Sequence, residues 1–101
     1  MEAEKAFDQI TGKMTESTTS TVKLEWSNIP NAEVYKVEQH HKRIGWKQVD
    51  WTEKTSTVIQ KLDDNFCFLF RVTALKLNEK EDEYITLSTS AKIPVRTSYI
   101  L

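Results

Sequence analysis

Apolar and polar residues alternate with a period of two along most of this chain, and no sustained 3.6-residue apolar period occurs. The densest apolar stretch runs Phe66-Cys67-Phe68-Leu69-Phe70-Arg71-Val72-Thr73-Ala74 and contains neither Gly nor Pro. It is too short to cross a membrane, and its β-branched and aromatic content suits a strand. Alternation assigns Phe66, Phe68, Phe70, Val72 and Ala74 to a core face, and Cys67, Leu69, Arg71 and Thr73 to an outward face. The stretch is expected to be the central strand of a small β-sandwich.

The flanking pattern supplies its neighbours. Residues 11–20 are rich in Thr and Ser and suit an edge strand followed by a turn. Val22, Leu24 and Trp26 share a face, with Lys23 and Glu25 opposite. Pro30 holds Ile29 extended in the next loop. Tyr35 and Val37 then point inward, and Lys36, Glu38 and His40 outward. A basic turn, residues 41–45, leads to a strand from Trp46 to Trp51. Strict alternation groups Val49 with Trp51, but a bulge would change the facing, so the sides taken by Trp46 and Trp51 stay open. Thr57 and Ile59 face inward, Val58 outward, and Leu62 closes that strand. Asp63-Asp64-Asn65 is a turn, and residues 78–83 form a charged loop. In the last strand Ala91, Ile93 and Val95 share a face, with Ser90, Lys92 and Arg96 turned away. Pro94 makes it an edge strand. Seven short strands spaced by turn signals predict an all-β fold, a seven-stranded antiparallel sandwich. Residues 1–9 would be a flexible or short helical tail, with Phe7 or Ile10 the first core contact, and residues 99–101 a second tail.

Composition narrows the function classes. The 101 residues suit one domain with one unaided core. Fourteen basic residues face 15 acidic ones, for a net charge of −1, which argues against nucleic acid as a partner. No run approaches transmembrane length, so membrane insertion is not expected. The N-terminal residues show no apolar signal-peptide region. Cys67 is the single cysteine, so no internal disulfide forms, and no Asn-x-Ser/Thr sequon occurs. Both features lean toward an intracellular setting.

The ordered set Val22-x-Leu24-x-Trp26, Tyr35-x-Val37, Leu62 and Phe70-Arg71-Val72-Thr73-Ala74 resembles a fibronectin type III domain. The resemblance spans residues 10–98 and implies a seven-stranded antiparallel immunoglobulin-like sandwich of that type. The family usually carries a tyrosine six residues after the leucine, whose hydroxyl bonds back to the turn. Phe68 stands there, and Asp64 stands where a proline is usual. The corner is expected to be held by packing and by Asp63, Asp64 or Asn65. Arg-Gly-Asp, paired cysteines and the tryptophan-serine repeat of cytokine receptors are all absent.

No catalytic, cofactor-binding or metal-binding constellation emerges, and the chain is not expected to be an enzyme. Cys67 shows no activating cation in the sequence and reads as structural. His40 and His41 are neighbours on a strand and point to opposite faces, which does not suit one metal ion. In the resembling fold, the basic turn and the charged loop lie at opposite ends. The candidate interaction face is Trp46, Trp51, Leu69, Arg71 and His40. Either one or both tryptophans face out beside Leu69, or both fold over the sandwich edge and complete the core. The predicted function is a non-catalytic protein-interaction module within a larger protein, with a protein or a neighbouring domain as partner. The alternatives are a structural spacer or, less favoured, a self-associating domain.

Overall fold

A computed structural model describes residues 9–99. Eight strands follow in order: β1 (Gly12–Ser17), β2 (Val22–Trp26), β3 (Val34–His41), β4 (Gly45–Thr52), β5 (Ser56–Ile59), β6 (Cys67–Leu77), β7 (Tyr84–Thr89) and β8 (Ile93–Arg96). One sheet has the order β1-β2-β5. The other has the order β4-β3-β6-β7, with β8 also paired to β6. All pairings are antiparallel. The eighth strand, compared with the seven predicted, is β7. The predicted N-terminal tail lies outside the described residues except for Gln9, as do residues 100 and 101. Ile10 is buried in the core.

The inter-sheet core is built by alternation. Val22, Leu24 and Trp26 meet Tyr35, Val37, Phe70, Val72 and Ala74, and Ile93 and Val95 close the side. Trp26 and Tyr35 pack with ring centroids 5.7 Å apart. The Tyr35 hydroxyl accepts from Ile29 N–H at 3.0 Å and donates to Asn28 Oδ1 at 3.3 Å, which pins the β2–β3 loop. Gly12 lies close under β8: a Cβ there would sit 2.6 Å from Ile93 Cδ1, so the end of that side chain would have to shift.

Expectation and structure differ at Phe66, Thr73, Ser90 and Ala91, the last expected to share the core face of Ile93 and Val95 but exposed, because β8 begins only at Ile93. Phe66 was placed in the core but is 53% exposed, because β6 begins only at Cys67. Thr73 points outward as expected, yet it is buried. Ser90 was expected to turn away. It is buried instead where β7 gives way to β8, with its Oγ accepting from Val72 N–H at 2.9 Å.

The corner before β6 is held by a residue that sequence reasoning did not single out. Thr97 Oγ1 accepts from Phe66 N–H at 3.1 Å and donates to the Asp63 carbonyl at 2.5 Å. Asn65 contributes by accepting from Arg96 Nη2 at 2.9 Å. Thr97 is almost fully buried, so its hydroxyl does the work that the missing phenol at Phe68 cannot. Thr97→Val keeps the shape but strands the Asp63 carbonyl and the Phe66 N–H. It should lower the unfolding free energy by about 1–3 kcal/mol. Urea titration checks this, with an unchanged denaturant slope showing that the fold is retained.

Candidate interaction face

The face is set by a bulge in β4. Val37 pairs with Asp50 and Glu38 pairs with Gln48, so Val49 is the extra residue. The register shift turns Val49 inward, where it packs against the core, and leaves Trp46 opposite His40 and Trp51 opposite Lys36. Both tryptophans therefore project from the outer face of the β4-β3-β6-β7 sheet, and neither joins the inter-sheet core. Asp50 fixes the bulge. One oxygen accepts from Trp51 N–H at 2.8 Å, and the other accepts from the Thr57 hydroxyl of the opposite sheet.

The outer face carries two side-chain clusters. In the first, the Arg71 guanidinium lies 4.3 Å from the centroid of the Trp46 ring, and the His40 ring meets the same tryptophan edge to face at 5.1 Å. Arg71 Nε donates to Glu38 Oε1 at 2.7 Å, directly across the β3–β6 pair. Glu38 is only 8% exposed, and Lys36 Nζ lies 4.0 Å from its other oxygen. Leu69, half-buried, flanks Arg71 on β6. In the second cluster, Trp51 meets Tyr84 edge to face at 5.1 Å. These rings come from β4 and β7, so they bridge the width of β3 and β6. Between those strands, Val34 pairs with Leu75 on the face opposite the core pair Tyr35–Ala74. Both are buried although neither belongs to the inter-sheet core. The outer face thus has an apolar floor of its own.

The structure brings His40, Trp46 and Arg71 together, with Leu69 alongside. It separates Trp51 from them and joins it to Tyr84. The basic turn lies beside the start of β6 and the acidic loop follows its end, so the two sit at opposite ends of the sheet. His41 pairs with Gly45 at the basic end. Cys67 is exposed, and Arg96 Nη1 donates to its sulfur at 2.9 Å, a cation that only the β6–β8 pairing reveals. Among the described residues no group of His, Cys, Asp and Glu could hold a metal ion, and no helix is long and apolar enough to cross a membrane.

No protein-family model matches the sequence, and no curated protein matches it. Solved structures do. A fibronectin type III domain of the human fibronectin type III domain containing protein 3 superposes with a TM-score of 0.69 at 16% identity, covering 92% of this chain and 85% of that one. A stretch of domains from titin gives a TM-score of 0.70 at 20% identity, with 92% of this chain matching 32% of the titin chain. The chain has the fibronectin type III fold. The same fold also recurs within a beta-1,2-glucanase from Parabacteroides distasonis, with a TM-score of 0.69 at 9% identity, covering 92% of this chain and 13% of that one. Fold alone therefore leaves the function of this chain to its surface.

Two residues on that surface escaped sequence reasoning. Tyr84 falls in the stretch after the charged loop that alternation assigns to no strand, because β7 carries its own bulge. Ala74 pairs with Ser88 and Leu75 with Thr86, so Leu87 is extra and alternation fails. Glu38 was read as one of several outward charges, and only its register opposite Arg71 reveals its role. Arg71→Ala should leave the Glu38 carboxylate under-paired and the Trp46 ring uncovered, costing about 1–2 kcal/mol. Arg71→Lys keeps the charge but not the planar stacking, and should fall between wild type and Ala. Chemical unfolding, with the Trp46 indole resonance as a local reporter, tests the order.

Proposed function

We propose that this domain is a non-catalytic protein-interaction module that binds a protein partner or a neighbouring domain through the outer face of the β4-β3-β6-β7 sheet. The observation that carries the reading is the pair of exposed aromatic rings on that face. Trp51 is 43% exposed and Tyr84 46%, and each holds the other in place over the Val34–Leu75 floor. Large rings with little rotamer freedom left to lose are favoured anchors at protein interfaces. The Arg71–Trp46–His40 cluster and Leu69 extend the same face. Pairing along the β8 edge is less suited to this role, because Pro94 lacks an N–H to donate.

A second reading, a structural spacer, draws support from the path of the chain. Gln9 and Ile10 lie beside Thr89 and Ser88, toward the Leu77 end of β6. Ser98 bonds Thr18 at the other end. The described chain thus enters and leaves at opposite ends, as a bead in a row would. The two readings separate in one experiment. The double variant Leu69→Ser, Trp51→Ser should keep the circular dichroism spectrum of a β-sandwich and lose the proteins retained by the immobilised wild-type domain. A retained set unchanged by the variant overturns the interaction reading. A wild-type domain that retains nothing, and keeps a monomeric mass at every concentration, favours the spacer.

A further inference from the structure

At the end of the sandwich that holds the β3–β4 turn, a groove of ≈ 840 Å³ opens beside β6 and β8. Its floor is apolar. Phe66, Phe68, Leu69 and Pro94 line it, and the Phe66 and Phe68 rings pack 5.1 Å apart. Phe68 stands where the fibronectin pattern has tyrosine, so the floor presents no hydroxyl there. Because Thr97 supplies the corner hydrogen bonds instead, the corner stays closed while its aromatic side chain is left purely apolar. Phe66 remains 53% exposed, with Phe68 against one side of its ring.

The rim is cationic. Lys42 and Arg96 border the groove together with the imidazoles of His40 and His41, and Asp63 is the one carboxylate among the lining residues. Arg96 donates to Asn65 Oδ1 and to Cys67 Sγ, neither of them a carboxylate. Among the described residues, neither Lys42 nor Arg96 lies within ion-pairing distance of a carboxylate. Uncompensated cations around an apolar cleft attract carboxylates, and the cleft itself rewards a bulky side chain.

We propose that this groove is a docking site for an acidic peptide segment of a partner protein that carries one bulky apolar anchor. The anchor lies against Phe66 and Phe68, and the flanking carboxylates meet Lys42 and Arg96. The site does not rest on the outer-face reading, although His40 and Leu69 border both surfaces.

The test uses NMR titration of the chain with three synthetic heptapeptides. The first has acidic residues around a central phenylalanine, the second the same residues around a central glycine, and the third lysines around phenylalanine. The first peptide alone should shift the amides of Phe66, Cys67, Leu69 and Arg96 in a saturable way. Its affinity should fall by at least about fivefold in Lys42→Glu and in Phe66→Ser, two exposed positions whose variants keep dispersed spectra. Trp51→Ser should leave it unchanged, so the groove stands or falls separately from the outer face. The proposal is overturned if no peptide shifts these amides, if the lysine peptide shifts them equally, or if the shifts fall on Trp51 and Tyr84. It is also overturned if dilution of the chain alone moves the same amides, because a second copy then fills the groove.

Discussion

The structure depends on the pairing of β6 along both edges. Phe70 lies between Gln39 on one side and Ile93 on the other, and Thr73 between Lys36 and Thr89. A strand held on both edges has its register fixed twice, and a slip of one residue would turn its whole core face to solvent. Several of the residues argued to matter take their positions from that register. Glu38 faces Arg71, Arg96 faces Cys67, and Tyr84 faces Leu77. The one gap in the second edge falls between β7 and β8. Ser90 fills it, its hydroxyl taking the Val72 N–H and its own N–H giving to the Val72 carbonyl at 2.8 Å. Without those bonds, buried backbone groups at the centre of the sheet would lack partners, a cost comparable to a lost hydrogen bond each.

How much of this was legible follows from how alternation works. Val22, Leu24 and Trp26, Tyr35 and Val37, and Phe70, Val72 and Ala74 kept strict period two, and all are buried as read. The losses occurred at bulges. An extra residue shifts the phase of everything after it and leaves no compositional mark, since Val49 and Leu87 are ordinary strand residues. The first bulge is why the tryptophans could not be assigned a face. The second is why β7 went unseen and Tyr84 with it. Phe66 failed for another reason. Alternation gave its phase correctly, but phase has meaning only inside a paired strand, and β6 starts one residue later. Thr97 was beyond reach in principle, because its partners Asp63 and Phe66 are more than 30 positions away and no local pattern couples them.

The candidate face was half legible. Naming Trp46, Trp51, Leu69, Arg71 and His40 required only that an outward strand position carry a large or charged side chain. The grouping required register. Arg71 is ordered by its bond to Glu38, so its guanidinium is already placed over Trp46, and that ring is largely committed to the fold. Trp51 and Tyr84 are committed only to each other and to the floor beneath, with much of both rings left to solvent. The same residue type therefore plays two parts on one sheet. One tryptophan mainly covers, and the other is free to be covered.

The outer face and the basal groove differ in electrostatics as well as position. On the outer face, Arg71 is balanced by Glu38, and the exposed surface beside it is aromatic, so an interface there would depend on shape and buried area. At the base, Lys42 and Arg96 have no carboxylate paired to them among the described residues, and an interface there would draw on long-range attraction. Attraction between exposed charges is screened over about 8 Å at physiological ionic strength, whereas apolar burial is not. Salt should therefore weaken association at the base while leaving association on the outer face nearly untouched. The sensitivity of any complex of this domain to ionic strength is thus a readout of which surface it uses.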